Sequence, residues 1–295
     1  MSKILCIVDS YEWALHNRAI NLEKNLTGHS FVIKHFKDLA KISFNDFNIV
    51  YVLNWPIHGY IQSHLKGPRR YRLVTTVSSH VGRPKAAAMG EIFKQYDAIS
   101  TSSNMLYHEF KPVYKNKVLN TPFGVDSSLF KPTTSVTDNI LKFGWVGNAS
   151  RDVKRFKDIE DTVNSLSAHN VSLKYITGGL SREEMASFYN EVGTVICFSS
   201  SEGTPNPILE GASCGRNIIS TRVGNVPELI GTNKSINIVG NKSQLKNAIL
   251  KTIKNPGTAQ DNGDFLRDEV LKSWDWKDRS KNFIPFLGLL WGSKK

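Results

Sequence analysis

The sequence predicts an α/β protein of two successive domains, each built from βαβ units around a parallel sheet. Three observations carry that expectation. Short apolar runs alternate with stretches of helical periodicity through the first part of the chain. Periodicity then stops in a turn-rich stretch. Beyond it the same alternation restarts. Alternation of this kind covers a parallel sheet with helices on both faces. A chain of 295 residues is long for one domain and comfortable for two.

In the first part, residues 3–8, 31–36, 48–53, 72–77 and 98–101 read as strands, because apolar and β-branched side chains dominate them. Residues 12–26 and 85–96 have helical periodicity, and Ser102 or Ser103 is placed to cap the next helix. The break falls at Thr121-Pro122-Phe123-Gly124-Val125-Asp126 and runs to Lys131-Pro132-Thr133-Thr134, where turn residues cluster. In the second part, residues 141–146, 171–177, 194–198, 217–220 and 236–239 read as strands. Residues 154–168, 182–191, 207–214, 227–230 and 243–253 read as helices. The expected divisions are therefore 1–132, 133–272 and a terminal segment, 273–295. Two such domains leave a cleft between them, a common place for a ligand.

Composition excludes several classes. With 40% hydrophobic and 22% charged residues, the chain is globular rather than disordered. No apolar run approaches the length of a membrane span. The start, Met1-Ser2-Lys3-Ile4-Leu5-Cys6, enters a strand directly and lacks the zones of a signal peptide, so a cytoplasmic location is expected. Cys6, Cys197 and Cys214 have no metal-ligand spacing and read as buried, reduced thiols. The net charge of +12 lies at the two ends. Residues 1–132 hold 17 Lys and Arg against 9 Asp and Glu, residues 133–270 hold 15 against 15, and residues 271–295 hold 6 against 2. The densest patch is Lys66-Gly67-Pro68-Arg69-Arg70-Tyr71-Arg72.

The stretch with most chemical content is Glu202-Gly203-Thr204-Pro205-Asn206-Pro207-Ile208-Leu209-Glu210. It joins an apolar strand to a helix, and its Gly, Pro and Asn are residues of a turn and a helix start. A parallel sheet places ligands there, at a strand's carboxyl end and a helix N-terminus. A carboxylate at Glu210 can accept two hydroxyl hydrogen bonds, as in ribose recognition. Glu202 is equally readable as an acid favoured by the helix dipole. Lys154 follows the Gly147 turn near a helix start and suits a phosphate. There is no Asp-x-Asp, Ser-His-Asp, HExxH or Walker pattern.

Three further segments accompany this stretch. They are Gly224-Asn225-Val226-Pro227-Glu228-Leu229-Ile230, the linker with Phe130 and Pro132, and Trp145-Val146-Gly147-Asn148 followed by Lys154. In this order and spacing they resemble the retaining glycosyltransferases of the GT-B fold, in the family-4 group (glycosyl transferases group 1). The resemblance covers most of the second domain and the first in outline. It implies two Rossmann-like domains facing a cleft: an acceptor-side domain over 1–132 and a nucleotide-sugar domain over 133–272. It also implies that 273–295 crosses back as a helix onto the first domain.

By the resemblance, Glu210 binds the ribose. Glu202 faces the transferred sugar, where a carboxylate stabilises an oxocarbenium-like transition state. Gly203, Thr204, Pro205 and Asn206 supply backbone close to the donor. Lys154 and an Arg directly after Gly147 would hold the diphosphate. Asn148 stands where that Arg is expected. Arg151 is near enough to take the place, with Arg155 as the alternative, and a basic solvated helix start is the other reading of the pair. His80 matches by position a histidine that faces the donor sugar in several members. The glycine-rich loop common after the first strand is replaced by Asp9-Ser10-Tyr11-Glu12-Trp13.

The implied activity is sugar transfer from a nucleoside-diphosphate-sugar to a hydroxyl of a glycan or lipid-linked acceptor, with retention and with no metal or other cofactor. The implied setting is polysaccharide biosynthesis. The basic ends suit an anionic membrane surface, so peripheral association at an inner membrane face is expected, and nucleic acid is not an expected partner. A non-catalytic sugar-nucleotide or glycan-binding protein on the same fold is the alternative. A basic nucleic-acid-binding protein is a third reading.

Overall fold

Eleven short strands, the central ones largely buried, build two parallel sheets in a computed structural model that describes residues 1–11, 14–79, 82 and 84–289. In the first part they are β1 (Lys3–Val8), β2 (Ser30–His35), β3 (Ile49–Val52), β4 (Arg72–Val77), β5 (Ala98–Thr101) and β6 (Val118–Asn120). Their order in the sheet is β2-β1-β3-β4-β5-β6. In the second they are β7 (Lys142–Val146), β8 (Ser172–Ile176), β9 (Thr194–Cys197), β10 (Asn217–Ser220) and β11 (Asn237–Ile238), ordered β11-β10-β9-β7-β8. Every strand pair is parallel, as the alternation predicts.

Each sheet is covered on both faces. In the first unit one face packs Leu5, Val50, Leu73 and Ile99 against Phe93 and Phe110. The other face packs Ile4, Tyr51 and Val74 against Leu22, Phe283 and Phe286. In the second unit Val195, Ile218 and Leu209 fill one face, and Phe143, Ile196, Ile219 and Ile249 the other. Both-face burial explains why these strands are continuous apolar runs without alternation.

The chain divides into Met1–Phe123 with the chain from Trp276, and Gly124–Asp275. Both crossings differ from the expected 132 and 272. Residues 124–132 belong to the second unit because Phe130 is buried in its core and Val125 N donates to Trp274 O at 2.9 Å. Asp275 is fixed there too, accepting from Ser127 N at 3.0 Å and Ser127 Oγ at 2.5 Å. As far as residue 289, the terminal segment is a series of short turns rather than one helix. A π-helical turn, Val270–Trp274, ends at extended Asp275. Helical pieces Trp276–Arg279, Ser280–Asn282 and Phe283–Leu287 follow. Trp276, Phe283, Phe286 and Leu287 are buried in the first unit's core.

One local expectation changes, and two elements appear that were not expected. Residues 85–96 hold two short pieces, Ala86–Met89 and Gly90–Phe93, with Gly90 at their junction. Strand β6 and helix Pro256–Glu269 have no counterpart in the sequence reading. Of the two expected caps, Ser102 and Ser103, it is Ser103 whose Oγ accepts from Leu106 N at 3.4 Å. All three cysteines are buried free thiols, and burial raises the pKa of each. Among the described residues no helix is long and apolar enough to cross a membrane.

The basic patch is partly structural. Arg69 pairs with Asp97 at 2.8 Å and donates to Gln95 O. The guanidinium of Arg72 donates to Phe286 O at 3.3 and 3.4 Å, holding the end of the terminal helix. Two of the three arginines are therefore committed within the first unit.

Candidate functional site

In the second unit, β8 lies on one side of the first strand, β7, and β9 on the other. The winding reverses between β7 and β9, so the loops leaving their carboxyl ends diverge and open a crevice. Three loops meet at that end of the sheet. Ser200 N, after β9, donates to Val153 O, after β7, at 2.8 Å. Thr221, after β10, donates from N to Cys197 O at 2.8 Å and from Oγ1 to Ser199 O at 2.6 Å.

Lys154 and Glu202 meet across this junction. The Nζ lies 2.6 Å from Glu202 Oε1, with the two side chains only 17% and 13% exposed. The same Oε1 accepts from Ser199 Oγ at 2.7 Å, and Ser199 is itself buried. Residues 48 apart in sequence thus form one charged pair at the switch point.

Glu210 lies in helix Asn206–Ser213. Gly211 lets that helix lie on β9, since a Cβ there would come within 2.7 Å of Val195 Cγ2. The Glu210 carboxylate accepts from Tyr189 OH at 2.8 Å. Burial pushes its pKa up to about 7, against the opposing effects of the Tyr189 hydrogen bond and the Arg182 charge. Arg182 in turn lies 3.8 Å from Asp126. Gly203 and Pro205 are buried, while Thr204 and Asn206 are half-buried at the helix start. Pro205 makes no side-chain cap, so the first turn has no side-chain acceptor at its N-cap.

Gly224 sets the spacing of the β9 and β10 loops. Its φ is +54°, and a Cβ would fall 2.5 Å from Gly203 O. Gly224→Ala should push residues 203–205 out of place and cost about 2 kcal/mol. Urea denaturation reads the stability loss, and ligand titration should show at least about a tenfold weaker affinity for whatever seats on this loop.

The remaining predicted residues fall as follows. Gly147 N donates to Ile176 O at 3.0 Å, closing the turn after β7. Asn148 Oδ1 accepts from Ser150 N and Ser150 Oγ at 2.9 and 2.7 Å, so its side chain folds the loop upon itself. Arg151 is exposed and has no side-chain partner among the described residues. Arg155 has φ +49° and its guanidinium lies 5.6 Å from the Phe198 ring centre. His80 lies outside the described residues. Among the described residues no group of three or more His, Cys, Asp or Glu is placed to hold a metal ion. Ser199, Tyr189 and Thr221 are site residues that the sequence reading did not reach. Only Ser199, three residues before Glu202, carried any positional hint.

This geometry can now be set beside known proteins. Residues 133–255 match the family described as glycosyl transferases group 1. That match spans most of the second unit, Gly124–Asp275, and less than half of the whole chain. The uncharacterized glycosyltransferase MJ1178 of Methanocaldococcus jannaschii is 31% identical over 128 residues, spanning 43% of this chain and 35% of that relative. The fold of the chain is that of GT-B proteins, two parallel α/β units. Sucrose-phosphate synthase from Thermosynechococcus elongatus superposes with a TM-score of 0.76 at 13% identity, over 96% of this chain and 97% of that one. Anabaena HepE, solved with UDP and glucose, gives 0.74 at 12% identity, over 98% and 100%. At such identities the likeness is one of fold.

Proposed function

We propose that this chain is a retaining glycosyltransferase that moves a sugar from a nucleoside-diphosphate donor to a hydroxyl acceptor. The observation that carries the reading is the Lys154–Glu202 pair at the switch point of a glycosyl transferases group 1 domain, with Glu210 on the adjoining helix. In this reading Lys154 neutralises the diphosphate and Glu202 accepts from the sugar hydroxyls. Glu210 accepts from the ribose, and the backbone of Gly203, Thr204, Pro205 and Asn206 lines the donor. Arg151 supplies a second cation in place of the Arg that Asn148 replaces, and His80 faces the sugar.

The chemistry follows from charge. As the bond to the anomeric carbon breaks, negative charge grows on the leaving phosphate and positive charge on the sugar. Lys154 meets the first and Glu202 the second. The leaving phosphate takes the acceptor's proton as the acceptor attacks the same face, so no side-chain base, metal or other cofactor is invoked. The acceptor is a glycan or lipid-linked hydroxyl. Peripheral contact with an anionic membrane would use the basic ends of the chain, though Arg69 and Arg72 contribute less than their charge suggests.

A non-catalytic donor-binding protein is the second reading, favoured by an uncharged Asn148 whose side chain is engaged by Ser150. Thermal shift against UDP-, GDP- and ADP-sugars separates these ideas from a wrong site. Donor at a hundred times its Kd should stabilise the chain by about 2.7 kcal/mol, a rise of roughly 5–10 °C in Tm. No rise with any donor sinks both readings. Binding without transfer to any acceptor, or hydrolysis, leaves the non-catalytic one. The anomeric configuration of a product, read by NMR, tests retention.

A further inference from the structure

We infer that Glu202 also discriminates between the intact donor and the spent nucleoside diphosphate, by holding Lys154 until a sugar replaces it. This rests on the donor-binding reading above. Glu202 Oε1 has two partners, Lys154 Nζ and Ser199 Oγ, and Oε2 has none among the described residues. Both charged side chains are mostly shielded from water. A diphosphate that draws Lys154 away leaves a shielded carboxylate with a single hydrogen bond, which is unfavourable. A donor brings sugar hydroxyls that donate to the freed carboxylate, so the same movement of Lys154 is compensated. A bare diphosphate brings nothing. Diphosphate and sugar are thereby coupled through one side chain, and release of the spent nucleotide is assisted as Lys154 returns to Glu202.

The prediction has an unusual sign. Removing the carboxylate should tighten the bare nucleotide. Isothermal titration of UDP and UDP-glucose, with the GDP and ADP pairs as further arms, is made into wild type, Glu202→Gln, Lys154→Met and the double variant. Glu202→Gln should bind the nucleoside diphosphate about tenfold more tightly than wild type, the scale of coupling between close charges. Its preference for the sugar-bearing form should shrink. The gain must vanish in the Lys154→Met background, because there is no lysine to release. Ser199→Ala removes the carboxylate's other partner, so it should weaken the bare diphosphate more than the donor.

Equal tightening with and without Lys154 would mean simple charge removal and overturns the coupling, as does no tightening at all. In either case nucleotide still binds and the donor reading stands. Absence of binding by every nucleotide to every variant overturns the donor reading, and this inference with it.

Discussion

Lys154→Met should lower turnover from a nucleoside-diphosphate-sugar by about a hundred- to a thousandfold, the usual loss when a positioned group that stabilises a leaving anion is removed. The same substitution should destabilise the fold, because it strands Glu202. That carboxylate is 13% exposed and would keep only the Ser199 hydroxyl. Leaving such a group unpaired costs about 1–3 kcal/mol. Glu202→Gln is not the mirror image. It leaves a lysine on a flexible stem that can turn towards water, so its stability should stay within about 1 kcal/mol of wild type. Steady-state kinetics and urea midpoints on the two variants check both halves. A Lys154→Met protein with wild-type turnover would remove the lysine from the site.

The contrast between these two variants shows what the sequence could reveal. The turn from Glu202 to Glu210 was legible, because a strand's carboxyl end, turn residues and a helix start leave local signatures. Its approximate strands and helices followed, since parallel sheets buried on both faces produce continuous apolar runs. The contact between Lys154 and Glu202 was not legible, because nothing local links residues on loops after different strands. Tyr189 was invisible for the same reason. Its helix reads as ordinary amphipathic surface, and only folding brings its hydroxyl to Glu210.

Helix Pro256–Glu269 was missed because Pro256, Gly257, Asn262 and Gly263 argue locally for a turn. Tertiary packing overrides that. A Cβ at Gly263 would fall 2.2 Å from Gly215 O, so glycine is what allows this helix to dock. Arg267 on its last turn then donates to Ser213 O at 2.7 Å and Phe130 O at 3.0 Å, tying the early linker to the unit. That tie also explains why the division falls before residue 124 rather than at 132. Asn148 was legible as a departure from the family pattern. Its exposed turn with Ser150, which occupies the side-chain oxygen, was not.

Glu210→Gln should make the chain more stable above pH 7 while weakening its donor affinity. Burial raises the Glu210 pKa from 4.5 to about 7, so the folded state favours the protonated acid. Below pH 4.5 both folded and unfolded states carry the proton, and burial exacts no charge penalty. As pH rises from 4.5 to 7 the unfolded state has lost the proton that the folded state still holds, and stability falls. Above 7 the full penalty remains, on the order of 3 kcal/mol at most. Glutamine has no charge to bury, so urea midpoints of wild type and variant should agree near pH 4.5 and diverge towards pH 8. Tyr189→Phe should extend the wild-type decline to higher pH, because the lost hydrogen bond is one that lowers the Glu210 pKa. In the proposed reading the ribose hydroxyls of a donor would act in the same direction as Tyr189, since they too would donate to the carboxylate. Donor binding near pH 6.5 should therefore release a proton, visible as a buffer-dependent heat in calorimetry and lost in Glu210→Gln. Parallel stability profiles for wild type and Glu210→Gln would show that the carboxylate is already ionised in the free protein. The stability penalty assigned to Glu210 would then be wrong.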